Sequence, residues 1–288
     1  MKNSFKVKEK HDKKKVPTYC MFVLVGLFGW NTKFAYSVGA VQDGLVAYWS
    51  FDEDTVDIKK EAVDVFGELV AVVQGDPELA KAADCKVGEC ILFDGDVDYL
   101  LVEEDPQNKI NRNWDQITLE CWAFINALDD SWNRIISLDD MPANKNVASL
   151  YYDDDDNRHN FWVRTPQGNT DAAKDDIKGD IPLEKWLHLT GTYDGSTVYY
   201  YINGKLANKY SMKGGALKKG GLILGIGDRS DGCNCDAIQG YIDEFRIYDR
   251  ALTAAEVANN FKAEGLAVHP NLGKLSLTWG YIRNLRHR

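Results

Sequence analysis

From Gly44 onward the chain is written in short runs of alternating apolar and polar residues, each closed by a turn signal. Alternation of period two sends successive side chains to opposite faces of a strand, so each run can bury one face and wet the other. The clearest runs are "GLVAYWSF", "ECILFDG", "DYLLVEE", "ITLECWAFI", "RIISLDD", "ASLYYDD", "NFWVRT", "WLHLTGTY", "TVYYYINGKLANKYSM", "GLILGIG" and "GYIDEFRIYDR". About a dozen strands with almost no helix between them predict an all-β antiparallel sandwich and exclude a βαβ architecture.

Local chemistry sharpens two places. In "VYYYINGKLANKY", Asn203 and Gly204 can both adopt the positive φ of a type I′ turn. Val198, Tyr200 and Ile202 then share one face and Tyr199 and Tyr201 the other, both aromatic enough to be covered. Near the end of the body, Thr253 and Glu256 form a Thr-x-x-Glu capping box, "AAEVANNFKAE" propagates one short C-terminal helix, and Gly265 suits its cap. No Ser/Pro/Gly linker and no internal repeat interrupts residues 41–268, which are read as one domain, followed by a basic tail over 269–288.

The first residues carry a different signal. Lysines crowd residues 2–15, an apolar run "YCMFVLVGLFGW" follows, and small residues come next in "AYSVGA". This is the pattern of a secretory signal over 1–37, with cleavage after Ser37 or Ala40, and the run falls short of the roughly 20 apolar residues of a membrane span. Retention as an uncleaved anchor is the alternative. The whole chain has 34 basic and 44 acidic residues; without residues 1–37, which hold eight lysines against Glu9 and Asp12, 26 basic and 42 acidic remain. So acidic a surface repels phosphate backbones and anionic lipids, which argues against nucleic-acid or membrane partners and suits divalent cations and neutral sugars.

Export also changes what the cysteines mean. Cys85, Cys90, Cys233 and Cys235 have spacings that zinc could use, but an oxidising compartment favours disulfides, with the connectivity left open because a bond between Cys233 and Cys235 is strained. Cys121, inside an apolar strand, reads as a small buried hydrophobe.

The blocks "GLVAYWSFDE", "ILFDGDVDYLLV", "ITLECWAFI", "WLHLTGTYDGSTVYYYINGKL" and "GYIDEFRIYDRALTAAEV", across residues 44–262, resemble the laminin-G-like, concanavalin A-like jelly-roll family, which includes pentraxin-like members. The resemblance implies a two-sheet jelly-roll sandwich with one concave sheet and loops at a rim, and places Trp49, Trp122 and Trp186 in the core. It leaves function open, because the fold serves lectins, adhesion domains and glucanases alike.

Catalysis finds no anchor in the sequence. Glycoside hydrolysis uses two carboxylates about 5 to 10 Å apart, and the laminarinase-type spacings Glu-x-Asp-x-x-Glu and Glu-x-Asp-x-Glu are missing; the strand "ITLECWAFI" offers Glu120 alone. The five histidines sit in unrelated contexts; His188 alternates with Leu187 and Leu189 so as to face the concave surface as a candidate ligand-binding residue, while the resemblance implies a packed structural role for it. Calcium has three candidate places, since it takes six to eight oxygen ligands from loops. Asp94, Asp96 and Asp98 open like an EF-hand, but Tyr99 stands where the loop needs glycine, so a turn capped by an aspartate is expected instead. The resemblance implies a calcium tying the first and last strands through Asp243, with Asp52 as a second ligand. By likeness to pentraxins it implies a rim site from Asp139 and Asp140 with Asp228, Asp231 and Asp236.

For sugars, exposed aromatic platforms matter, because a pyranose presents apolar C–H faces. Trp132, in the polar loop "DDSWNR", and Trp162 with Arg164, alternating in "NFWVRT", are the candidates. The sum is an exported, non-catalytic module binding an extracellular glycan or glycoprotein surface with calcium, secreted or cell-surface. A protein-binding adhesion domain is the alternative, and a glycan hydrolase the third. The run "YYDDDDNRHNFWV" is read as two neighbouring strands joined by an acidic turn.

Overall fold

The structure is a computed structural model that describes residues 39–81, 83–128, 132–140, 145–153, 158–171, 182–217, 221–230, 236–263 and 265. Asp231, Cys233, Cys235 and the signal and tail segments lie outside the described residues.

Two antiparallel sheets face each other, as the alternation predicts. One has the order β15 (Lys205–Ser211), β14 (Thr197–Ile202), β13 (Trp186–Tyr193), β8 (Ile117–Ala127), β17 (Gln239–Tyr248), β6 (Cys90–Asp94) and β5 (Glu78–Ala80), with β1 (Leu45–Trp49) also paired to β17. The other runs β12 (Gly168–Asp171), β11 (Arg158–Thr165), β10 (Lys145–Asp153), β9 (Trp132–Asp140), β16 (Leu222–Ile226), β7 (Tyr99–Val102), β4 (Val70–Gln74), β3 (Glu61–Val63) and β2 (Val56–Asp57). Consecutive hairpins such as β13–β14–β15 and β9–β10–β11–β12 are knitted together by pairings between strands far apart in sequence, among them β8 with β17, β1 with β17 and β9 with β16, the mark of a jelly roll rather than a simple meander.

Between the sheets lies one apolar core, built from alternate residues such as Leu119, Cys121 and Ala123 of β8 and Leu150, Phe161 and Val163 opposite. Trp49 stacks on Phe245 at 5.4 Å. The sheets approach so closely at Gly191 that a Cβ there would come within 2.0 Å of the Phe161 ring. Cys121 is buried and free, as expected.

The local expectations hold except for the end of the helix. Asn203 and Gly204 take φ of 50° and 74° between β14 and β15. Thr253 caps α1 (Ala254–Asn260) in a capping box with Glu256. The helix stops at Asn260, short of the Gly265 expected to cap it. Asp98 is buried and accepts from the backbone N–H of Asp76 at 2.7 Å and of Asp94 at 3.3 Å, the turn expected in place of an EF-hand. Tyr151 pairs with Asn160 across β10 and β11, so the acidic run does join two neighbouring strands.

Helix α1 does more than close an edge. Val257, Leu252, Tyr201 and Tyr248 form a second small apolar cluster on the outer side of the first sheet. Beneath it sits a buried polar knot. Glu120 accepts from Asn260 Nδ2 at 3.0 Å and Arg246 Nη1 at 3.4 Å, while Glu244 takes Tyr48 Oη at 2.5 Å and pairs with Arg246 Nη2. Burial works to raise the Glu120 pKa, but His188, Arg246 and Asn260 together hold its carboxyl below the usual range.

Two placements decide between the sequence expectations: for His188 the packed role holds and the ligand role fails, and for Trp186 the core position fails. His188 is fully buried beneath this cover, its ring 5.0 Å from Trp122 and 5.8 Å from Phe261 and its Nε2 3.7 Å from Glu120 Oε1, so it meets no ligand surface. Trp49 is a core residue and Trp122 is buried on the outer side of β8, but Trp186 is only half-buried on that same side.

Candidate functional site

The strand-tying corner is built by a bulge. The register of β17 against β8 shifts between Asp243 and Arg246, with Glu244 at φ 55°, so two consecutive acids escape the core while Ile242 and Phe245 stay in it. Asp243 Oδ2 accepts from the N–H of Val87 at 2.8 Å and of Lys86 at 3.1 Å, and Asp52 Oδ1 from the N–H of Glu89 at 3.0 Å. All three donors lie in the loop closed by the Cys85–Cys90 disulfide, which settles the pairing of those two cysteines. Gly88 is required there, since a Cβ would stand 2.0 Å from Asp52 Oδ1. Asp243 Oδ1 is buried with no hydrogen-bond partner. Burial, then the neighbouring charge of Glu244, pushes the Asp243 pKa up to about 8 against the pull of the two N–H groups, with Asp52 adding to the rise. Asp52 and Asp243 thus hold the same loop, and an anionic Asp243 would need positive charge beside it. Among the described residues no three His, Cys, Asp or Glu side chains are grouped to hold a metal, so a cation here would need backbone or solvent oxygens as well.

At the rim, Asp139 Oδ2 accepts from Ser137 Oγ at 2.6 Å, Ser230 Oγ at 2.6 Å and Ser230 N at 3.1 Å. This carboxylate locks β9 to the loop after β16. Asp140 and Asp228 are buried, and Asp228 Oδ1 accepts from Arg229 N at 2.6 Å. The structure therefore brings Asp139 together with Ser230.

The outer side of the second sheet carries the aromatic candidates. Trp132 is 44% exposed and stacks on buried Tyr151, centroids 5.4 Å apart at 23°. Arg134 lies over both rings, 5.0 Å from Trp132 and 4.7 Å from Tyr151. Its Nε reaches Asp236 Oδ2 at 3.2 Å and its Nη1 Ser149 Oγ at 2.7 Å, while Asn160 Nδ2 donates to Tyr151 Oη at 2.7 Å. One exposed indole is thus held in a fixed orientation by a buried frame, which is what a stacking platform requires. Trp162 is nearly covered on this same side, and Arg164 lies over it at 4.9 Å with its Nε buried and unpartnered. Arg134, Tyr151, Ser149 and Asn160 were not picked from the sequence. Their signal was the alternation itself, since Ser149, Tyr151, Asn160 and Trp162 all fall on the side opposite Leu150 and Phe161.

The profile of the laminin-G-type family Laminin_G_3, described as the concanavalin A-like lectin/glucanases superfamily, matches residues 94–258, more than half of the chain. The chain belongs to this superfamily. Solved structures share the fold at low identity. Domain 4 of AbnA, a GH43 extracellular arabinanase from Geobacillus stearothermophilus solved with arabinotriose, aligns with a TM-score of 0.57 at 20% identity, covering 75% of this chain and 97% of that one. The ligand-binding domain of botulinum neurotoxin serotype D, solved with N-acetylneuraminic acid, aligns at 0.57 and 13%, covering 76% and 51%. Trypanosoma rangeli sialidase aligns at 0.56 and 17%, covering 77% of this chain and 33% of the enzyme. Curated protein sequences contain no match. Among the described residues no helix is long and apolar enough to cross a membrane.

Proposed function

We propose that this superfamily member is an exported, non-catalytic carbohydrate-binding module, secreted or held at the cell surface, whose ligand is an extracellular glycan or glycoprotein. The observation that carries this reading is the exposed Trp132 ring, braced by Tyr151 and Arg134. A sugar stacks its C–H face on the indole, whose orientation is fixed by the ring of Tyr151 and the guanidinium of Arg134. The glycan complexes of the arabinanase domain and the neurotoxin domain support the ligand class by analogy of fold. Glu120, the one strand acid that sequence reading offered for catalysis, is buried in the Arg246 and Asn260 knot, which supports a non-enzymatic role.

Calcium belongs to this reading as a structural partner. Asp243 Oδ1 and the Asp52 carboxylate would hold it, and the cation would supply the positive charge that keeps Asp243 ionised. The rim acids are less suited, because Asp139 Oδ2 already receives three hydrogen bonds.

A glycan array probed with the purified protein tests the proposal. Binding that falls about tenfold in Trp132→Ala at unchanged melting temperature is the expected result. No binding to any glycan would favour a protein-binding adhesion domain, and release of reducing sugar from a polysaccharide would overturn the non-catalytic assignment.

A further inference from the structure

A second surface on the opposite sheet has the chemistry of a ligand site. Trp186 of β13, Phe124 of β8 and Tyr241 of β17 form one row across three neighbouring strands, in direct register. They line an open groove of about 480 Å³ together with Asn126, Asp84 and Glu184. The next row, His188, Trp122 and Asp243, is buried, so the groove begins where that cover stops.

Its three rings touch one another. Trp186 and Tyr241 meet Phe124 at 5.7 Å and 5.6 Å, with interplanar angles of 61° and 88°. Rings in such contact leave no room between them for a guest, so a ligand must lie over the row. The indole N–H of Trp186 donates to Asp84 O at 3.1 Å, which fixes the ring and uses its one donor. The rim is rich in acceptors: the Asp84 and Glu184 carboxylates and the Asn126 amide oxygen. No lysine, arginine or histidine is among the lining residues.

These features select an occupant. A purely apolar partner would cover the rim carboxylates without giving them donors, at a desolvation cost. An acidic sugar would meet two like charges. An uncharged oligosaccharide lays C–H faces on the aromatic row and directs hydroxyl donors to Asp84 and Glu184. We propose that this groove is a second carbohydrate site, specific for uncharged saccharide, on the sheet opposite the Trp132 platform. Its lining is acceptor-rich and carries no cationic side chain, and this sets its choice of uncharged sugars. The groove shares no residue with the platform and stands or falls separately from it.

The test uses the full chain carrying Trp132→Ala, so that the platform is already removed. That protein is titrated by isothermal calorimetry with arabinotriose and cellotriose and screened on an array of uncharged and sialylated oligosaccharides. The expected result is binding to at least one uncharged probe and to none through sialic acid. Adding Trp186→Ala should weaken that binding by about tenfold or more. Because Trp186 also packs on Phe124, Glu184→Lys on the exposed rim is the second variant, and it should weaken uncharged-probe binding while the melting temperature stays put. No uncharged probe bound in the Trp132→Ala background, or binding indifferent to both Trp186→Ala and Glu184→Lys, overturns the proposal.

Discussion

Asn260 Nδ2, in the last turn of the helix, lies 3.0 Å from Glu120 Oε1 in the middle of the eight-stranded sheet. The same amide group donates to Tyr248 Oη at 3.0 Å, and its oxygen accepts from the N–H of Val41 at 2.8 Å. One asparagine therefore joins the helix, the N-terminal segment of the body and a buried carboxylate. Truncating it leaves Glu120 short of a donor and Val41 short of an acceptor. Asn260→Ala should cost about 3 kcal/mol, since hydrogen bonds to buried charge are worth more than neutral ones. Asn260→Asp should cost more still, by setting a second carboxylate against Glu120. Urea denaturation midpoints decide this, and an aspartate variant as stable as the alanine one would show that Glu120 is not charged there.

His159 gives the fold an acid-sensitive point. It is buried against Tyr152, centroids 4.0 Å apart, with neither ring nitrogen hydrogen-bonded, and burial pushes its pKa down to about 3. The folded state keeps the ring neutral, while the unfolded chain takes up a proton below about pH 6.5. The stability tied to neutral His159 is complete above that pH and is lost as pH falls toward 3, by about 1.4 kcal/mol per pH unit at most. His159→Phe should flatten the melting temperature between pH 6 and pH 4 relative to wild type. Parallel curves for the two proteins would contradict the assignment.

Calcium should raise the melting temperature by mass action if it binds the folded corner. Asp243→Ala should abolish that rise, and Asp52→Ala should reduce it. Differential scanning calorimetry in calcium and in chelator measures both. A rise that survives Asp243→Ala but disappears in Asp139→Ala would move the site to the rim.

Gly191→Ala tests the spacing of the sheets. The added Cβ would sit 2.0 Å from the Phe161 ring, inside contact distance, and the core has no slack to absorb it. A loss of about 3 kcal/mol in chemical denaturation is expected. A neutral effect would mean that the sheets can part locally.

Much of the fold was legible because its rules are local. Alternation in "ITLECWAFI" sends Leu119 and Cys121 to the core and Glu120 and Trp122 away from it, whatever the rest of the chain does. Asn203–Gly204 needs only its own backbone freedom to turn, and Thr253 with Glu256 needs only each other to start a helix. What alternation leaves open is whether the second face of a strand is covered. His188 and Trp186 stand two residues apart on the same face of β13, yet the first is fully buried and the second lines a groove. The difference comes from Phe261 and the polar knot, which arrive from β17 and α1 some sixty residues later. The bulge at Glu244 is a second such case, since it breaks the alternation that would have separated Asp243 from its neighbour. Trp132 was recognised from its polar surroundings, but of the residues that fix its ring only Arg134 is a sequence neighbour, while Tyr151 and Asp236 come from two distant stretches. The sequence by itself determined the strands, their inward faces and their turns, because these follow from backbone geometry and side-chain period. Only the tertiary structure decided which outward faces are roofed and which lie open to a ligand, because that depends on packing between segments far apart in the chain.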